Sequence, residues 1–224
     1  VSGNIKAEKV FELAEKWFGE IKRNISPRAP YPVEPPQKEA RSLTVERDIP
    51  FDSVYKAYHS CSRLDPEFYA VDLLTDILSR GKSSRLYNSL LKQKKLFTEI
   101  NAYQTADFDK SLLVIEGKLV KGVSMKEAEA AIQEEINKII SELVSVDELQ
   151  KVQNKVESTI EFSEMDLASR SLNLAFAEYM GDVNLVNTEI KLYQKVTRED
   201  ILKQAQEIFR EENCSTLYYL AKKK

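Results

Sequence analysis

The chain has 224 residues, of which 42% are hydrophobic and 31% charged, which is enough apolar material to bury one sizeable α/β core. Because 33 Lys and Arg face 36 Asp and Glu, the net charge is only −3, and we expect no nucleic-acid partner. No stretch approaches the roughly 20 consecutive apolar residues of a membrane span, so we expect a soluble protein and leave the compartment open between cytoplasm and periplasm.

The opening residues predict an amphipathic helix over residues 6–22 that ends near Gly19. Its apolar positions recur at helical spacing and are Val10, Leu13, Ala14, Trp17, Phe18 and Ile21. The preceding Val1-Ser2-Gly3 is typical of the tail of a buried strand, and we therefore expect the chain to continue a longer protein.

The next segment is rich in proline, with five of the seven prolines of the chain between Pro27 and Pro36. Proline removes backbone donors and favours an extended conformation, as in a semi-rigid linker. We therefore predict three parts: a strand tail and helix of a preceding domain in residues 1–25, a linker in residues 26–40 and a C-terminal domain in residues 41–224.

The C-terminal part begins with alternating apolar and polar residues at 43–47 and 52–59, which predict two strands. Pro66 opens a helix for which Asp65 is the predicted N-cap. After Gly81, either Ser83 or Ser84 is available to cap a second helix, and two further strands are predicted at 97–105 and 112–119.

Helical periodicity dominates the rest of the chain from Ser124, which forms a capping-box pattern with Glu127. Further helices are predicted within 146–162, 166–181, 184–196 and 197–211, before a closing strand at 214–221. This order predicts an α+β fold, a two-layer sandwich in which helices cover an antiparallel-rich sheet. Helices on both faces of a parallel sheet would instead favour an unrelated α/β binding module.

Candidate metal ligands and nucleophiles are scarce, because a hydrolytic zinc site needs three protein ligands and the chain has a single histidine. His59 lies in an alternating run, and we interpret it as a structural strand residue. Cys61 could share a strand face with it, but no glycine-containing nucleophile elbow surrounds the pair. We interpret Cys61 and Cys214 as buried free thiols and predict no catalytic residue and no metal ligand in this chain.

Three segments resemble the pitrilysin, insulinase and mitochondrial processing peptidase superfamily of zinc metallopeptidases. They are GKSSRLYNSLLKQKKLFTEINAY, the helix start VSVDELQKVQNKV and the closing VTREDILKQAQEIFREENCSTLYYL. In that order they cover nearly all of residues 41–221, and the opening VSGNIKAEKVFELAEKWFGEI resembles the end of a preceding family domain. The resemblance therefore implies a C-terminal, non-catalytic half.

The resemblance also implies where the chemistry lies. The family's catalytic half carries the zinc motif H-x-x-E-H, which this sequence lacks. Non-catalytic halves of the family often contribute an Arg and a Tyr, seven residues apart, to the substrate, and alignment on SRLY places Leu91 and Thr98 at those positions. Arg85, Leu91 and Thr98 are the substrate-facing candidates, although Leu91 cannot donate a hydrogen bond and Thr98 lacks the reach of a phenol.

The implied function is that of a structural, substrate-enclosing half of a zinc-dependent peptidase that acts on peptides or unfolded polypeptides. Its partner would be its own N-terminal half or a homologous subunit, which would hold the zinc, and the present chain alone would hold no cofactor and be inactive. An extended peptide could be bound by addition to a sheet edge. The alternative is a non-enzymatic scaffold of the same fold, similar to the core proteins of respiratory complexes.

Overall fold

A computed structural model describes residues 1–22, 32 and 34–222, and it divides into two compact units. Unit 1 comprises Val1–Pro36 and Ser158–Thr188, and unit 2 comprises Gln37–Glu157 and Glu189–Lys224. Much of the predicted linker, residues 26–31 and 33, lies outside the described residues. The boundaries of the three predicted parts remain predictions.

The elements follow the order α1 (Ala7–Phe18), β1 (Arg41–Arg47), β2 (Ser53–Ser60), α2 (Phe68–Ser79), a π-helix (Tyr87–Gln93), β3 (Phe97–Gln104), β4 (Ser111–Leu119), α3 (Met125–Ser141), α4 (Val146–Ser163), α5 (Leu167–Tyr179), α6 (Leu185–Gln194), α7 (Arg198–Ile208) and β5 (Cys214–Ala221). None of the described helices is long and apolar enough to cross a membrane.

The five strands form one sheet in unit 2, in the order β1-β5-β2-β4-β3. Only β1 and β5 are parallel, whereas β2 pairs antiparallel with both β5 and β4, and β4 pairs antiparallel with β3. The closing strand is therefore inserted between the first two strands, and the sheet ends in β1 on one side and β3 on the other.

One face of the sheet forms the core of unit 2 with the helices. Alternate residues of β2 and β4, such as Val54, Tyr58, Leu113 and Ile115, are at most 3% exposed. The helices contribute their apolar stripes to this layer, namely Leu73, Leu74 and Leu78 of α2, Ile132 and Ile136 of α3, and Ile201 and Ala205 of α7. The helix-on-sheet arrangement confirms the predicted α+β fold with an antiparallel-rich sheet.

N-capping side chains determine where several helices begin, and two helix starts differ from the prediction. Ser124 caps α3 as predicted by accepting the Glu127 backbone N–H, and Thr197 forms a capping box with Asp200 in α7. Asp65 does not cap α2: the helix begins at Phe68, because the Asp65 carboxylate instead accepts the Ser62 backbone N–H at 2.9 Å and the Lys110 ammonium at 2.7 Å.

The second predicted helix is π-helical over Tyr87–Gln93 and has no serine cap. The Ser84 hydroxyl donates to the Gly81 carbonyl at 2.7 Å instead of accepting a helix N–H. Two residues after the π-helix, Lys95 has a φ of 55°, and the chain turns there into β3.

Unit 1 contains α1, the end of α4, α5 and the start of α6. Asp166 caps α5 by accepting the Ser169 backbone N–H at 2.8 Å. The first helix begins and ends close to its predicted limits, with Gly19 directly after Phe18, and it contains no buried residue.

Candidate substrate-contact surface at the edge of the sheet

β3 is one of the two edge strands of the sheet. Within the described residues β3 pairs with β4 alone, so the main chain on its other side has no strand partner. An exposed strand edge offers a row of backbone donors and acceptors to an extended polypeptide.

The hydrogen-bonding pattern identifies the outward backbone groups of β3. The Thr105 N–H donates to the Leu112 carbonyl of β4 at 2.9 Å. The backbone N–H and C=O groups of alternate residues in a strand point to opposite sides. Those of Ile100 and Ala102 therefore point away from β4. The Ser79 hydroxyl of α2 donates to the Ala102 carbonyl at 2.8 Å, which agrees with this direction. The open part of the edge therefore lies on the N-terminal side of that contact.

Thr98 lies at an irregularity of this edge. Phe97 is opposite Leu119 and Glu99 is opposite Lys118, so Thr98 is the extra residue of a β-bulge. Its side chain is exposed, and its hydroxyl donates to the Lys118 carbonyl at 3.2 Å. Thr98 thus lies at the surface of the open edge.

Gly117 of β4 lies directly under the Phe97 ring, next to the bulge. A Cβ atom at position 117 would lie 2.6 Å from this ring, which is well inside van der Waals contact. Phe97 is only 2% exposed and has little room to move. The close approach of ring and backbone therefore requires glycine at this position.

The outer face of the sheet forms a shallow concavity next to the edge, with a volume of about 120 Å³. Its walls include Tyr55, Asn101 and Glu116, and the exposed Glu99 and Lys118 form a 2.6 Å ion pair across β3 and β4. Alternate side chains of a peptide added to β3 would reach this face. The alternation of β3 could have indicated Glu99 and Asn101, but the edge position of the strand depends on pairing that no local pattern shows.

Arg85 precedes the π-helix and binds a carboxylate of this chain. Its Nε and Nη2 atoms donate to the two carboxylate oxygens of Glu148, in the first turn of α4, at 2.7 and 2.9 Å. This interaction is the leading cause that lowers the pKa of Glu148 from 4.5 to about 2, and the Ser145 backbone N–H contributes through a third hydrogen bond. Arg85 therefore anchors the start of the π-helix to α4.

Leu91 lies within the π-helix and is half-buried, beside the fully buried Leu90. The helix is also fixed to α3, since the Ser89 hydroxyl donates to the buried Glu135 carboxylate at 2.8 Å. Arg85 and Thr98 have different partners, on α4 and β4 respectively. A direct role of Arg85, Leu91 and Thr98 in substrate contact remains a prediction.

A larger cavity of about 480 Å³ lies over β1 and β5. At its base, the Lys56 ammonium donates to the Glu129 carboxylate at 2.8 Å, and the Tyr218 hydroxyl donates to the same carboxylate at 2.9 Å. Burial by itself would raise the pKa of the Glu129 carboxyl, but the contacts with Lys56 and Tyr218 outweigh it and lower the pKa. The charges at the base thus satisfy one another, and we do not place the substrate there.

The potential ligands and nucleophiles are dispersed in the described ranges. No group of three or more His, Cys, Asp or Glu residues in 1–22, 32 and 34–222 is arranged to hold a metal ion. His59 lies in β2 opposite Leu112, and its carbonyl accepts the Asn213 side-chain amide at 3.0 Å. Cys214 is buried, and the half-buried Cys61 thiol has a raised pKa, chiefly because of burial.

Sequence comparisons connect this chain with a peptidase family. Residues 1–156 match the family model of the peptidase M16 inactive domain. The chain is 25% identical over 228 residues to the zinc protease PqqE of Helicobacter pylori, covering 97% of this chain and 50% of that protein. The chain thus spans about half the length of the curated relatives it matches.

Solved structures share the fold. A protease from Helicobacter pylori superposes with a TM-score of 0.90 at 21% identity, over 97% of this chain and 54% of that one. The inactive peptidase domain of a zinc protease from Bordetella parapertussis superposes with a TM-score of 0.70 at 21% identity, over 80% of this chain and 97% of that one. By its match to the family model over more than half of its length, the chain belongs to the peptidase M16 inactive-domain family.

Proposed function

We propose that this chain is the non-catalytic, substrate-enclosing half of a zinc-dependent peptidase that acts on peptides or unfolded polypeptides. The zinc and the residues that activate water lie in a catalytic half, which is either part of the same longer protein or a homologous subunit. The present half contributes the open edge of β3, which holds an extended substrate through its main chain.

The main support for this function is that β3 has an unpaired edge in a domain of a peptidase family that is itself inactive. Backbone hydrogen bonds at a strand edge give affinity without a strict requirement for sequence, which suits unfolded polypeptides. The adjacent outer face, with Glu99 and Asn101, supplies contacts for alternate side chains of the same substrate.

The relatives favour a peptidase over the scaffold alternative. The similar proteins from Helicobacter pylori and Rickettsia bellii are both described as zinc proteases, and each is about twice as long as the matched part. We extend that description to the whole protein from which this half derives.

Ala102→Pro tests the β3 edge in the full-length protein. Proline removes the outward N–H of residue 102 and leaves the bonds between β3 and β4 in place. One lost backbone hydrogen bond is worth about 1 kcal/mol, so we expect the KM for an unstructured fluorogenic peptide to rise about fivefold. Steady-state kinetics with zinc-loaded protein measure the change.

Ala102→Gly is the matched control, because it keeps the N–H and alters the same position. Thermal unfolding of both variants checks that β3 stays folded. An unchanged KM in a folded Ala102→Pro protein, or an equal rise in Ala102→Gly, would rule out main-chain binding at this edge. A full-length protein without zinc and without turnover would instead support the scaffold alternative.

A further inference from the structure

Glu116 of β4 carries a half-buried carboxylate on the outer face of the sheet, where it forms part of the wall of the concavity beside β3. In the described part of the chain, its only hydrogen-bond donor is the Asn101 side-chain amide, at a long 3.5 Å. A carboxylate that is partly withdrawn from water is stabilised by a positive charge nearby. The structure thus leaves the Glu116 carboxylate available to a cationic ligand.

The charges that line this concavity do not balance one another. The Lys118 ammonium donates to the Glu99 carboxylate at 2.6 Å, so these two charges neutralise each other. The second carboxylate of the lining, that of Glu116, keeps its negative charge. The larger cavity over β1 and β5 differs in this respect, because Lys56 neutralises Glu129 there at 2.8 Å. An unbalanced negative charge beside an open strand edge favours a cationic group in whatever binds along that edge.

The register of the strands shows which residue of a bound peptide would reach Glu116. Asn101 of β3 lies directly opposite Glu116, and both residues line the concavity. A peptide residue opposite Asn101 would place its side chain on the same face of the sheet. Because neighbouring strands lie about 4.8 Å apart, this residue would be about 10 Å from the main chain of β4. Among the basic residues, lysine and arginine have side chains long enough to meet Glu116 across this distance, whereas histidine does not.

Tyr55 of β2 forms the far wall of the concavity and lies opposite Glu116 in the pairing of β2 with β4. A guanidinium group can stack on an aromatic ring and donate two parallel hydrogen bonds to a carboxylate, which a lysine ammonium cannot do. The volume of about 120 Å³ is below that of small-molecule pockets and suits the end of one side chain. Arginine therefore matches the walls better than lysine does.

We propose that this concavity binds an arginine side chain, or less tightly a lysine side chain, of an extended peptide added to β3, and that Glu116 selects the positive charge. The inference rests on the proposed function in one respect, which is that the peptide binds along β3. It goes further because it names the preferred residue at one position of the peptide, the position opposite Asn101.

The test measures peptide binding to the full-length protein after treatment with a chelator, so that the result does not depend on turnover. The probes are two fluorescent, unstructured peptides that carry either a single arginine or, at the same position, citrulline, which has nearly the same shape and no charge. We expect the arginine peptide to bind about fivefold more tightly by fluorescence anisotropy. In Glu116→Gln the two peptides should bind equally. Glu46→Gln makes the same change in net charge at an exposed position of β1, the other edge strand, and should keep the preference.

Equal binding of the two peptides by the parent protein, binding of neither, or an arginine preference that persists in Glu116→Gln would overturn the proposal. Thermal unfolding checks that Glu116→Gln is folded. Ala102→Pro should weaken both peptides alike, and an arginine preference without this effect would also overturn binding along β3. Weakening by Ala102→Pro without any advantage of arginine would refute the subsite and leave the proposed function in place. An arginine preference that depends on Glu116 in a full-length protein without zinc or turnover would instead refute only the peptidase function.

Discussion

Asp76 is an acid in an apolar setting, on the buried side of α2, where it is only 4% exposed. Burial raises the pKa of its carboxyl from 3.8 to about 6, although Arg80 lies 3.2 Å away and opposes the shift. A folded-state pKa above the unfolded value means that Asp76 favours folding fully below about pH 4. This contribution is lost as the pH rises through about 6.

Asp76→Asn should therefore stabilise the chain at about pH 8 and leave it nearly unchanged below about pH 4. A shift of about two units sets an upper limit near 3 kcal/mol, and we expect a gain of about 1–2 kcal/mol because Asn also loses the attraction of Arg80. Urea unfolding at the two pH values measures the difference.

Asp200 provides a control of opposite sign. Its hydrogen bonds from Thr197 lower the pKa of its carboxyl, so its contribution to stability is present above its ordinary pKa and is lost in acid. Asp200→Asn should thus destabilise the chain at about pH 8. A loss of stability at about pH 8 in Asp76→Asn would contradict the assignment for Asp76.

The ion pair of Arg85 with Glu148 connects the start of the π-helix with α4. Both side chains are mostly shielded, at 18% and 27% exposed, and the two parallel hydrogen bonds fix their geometry. The pKa of Glu148 is lowered from 4.5 to about 2, chiefly by Arg85, so the contact stabilises the fold above about pH 4.5 and is lost as the pH falls toward 2.

Glu148→Gln should lower the free energy of unfolding by about 1 kcal/mol at neutral pH, after allowance for partial exposure to solvent. Asp147→Asn is the matched control, because it removes a neighbouring charge from the same first turn of α4. The difference between the variants in urea unfolding should shrink between about pH 4.5 and pH 2. Equal effects of the two substitutions would show that the contact adds nothing beyond the charge at the helix start.

The strands and most helices could be predicted from local patterns, because alternation and helical periodicity record which side of each element is buried. Thus β3 and β4 lie within one residue of their predicted limits, and Ser124 caps α3 as predicted. The π-helix could not be predicted in this way, since its path depends on distant contacts such as that of Ser89 with Glu135. Local patterns also predicted wrongly that Asp65 caps α2, because its carboxylate instead accepts hydrogen bonds from Lys110 and the Ser62 N–H.

The order of the strands in the sheet depends on contacts between residues far apart in sequence. The insertion of β5 between β1 and β2 joins the two ends of unit 2, and it leaves β3 at the edge. For this reason the sequence could indicate Thr98 as a candidate but could not show that it belongs to a bulge next to Gly117. The family resemblance was sufficient to predict that this chain is an inactive half. The contact surface could be identified only from the pairing of the strands in the three-dimensional structure.

If the catalytic zinc site lies in the other half, the isolated chain should have no catalytic metal and no peptidase activity. Three protein ligands are needed to seat a catalytic zinc ion, and the chain has one histidine, whose strand neighbours are mainly apolar or hydroxyl-bearing. We expect the isolated chain to bind less than stoichiometric zinc by elemental analysis and to leave a fluorogenic peptide uncleaved. The full-length protein should hold about one zinc ion and cleave the same peptide until a chelator removes the metal. Chelator-sensitive turnover by the isolated chain would show that its own side chains complete a site, and the division between the halves would then be wrong.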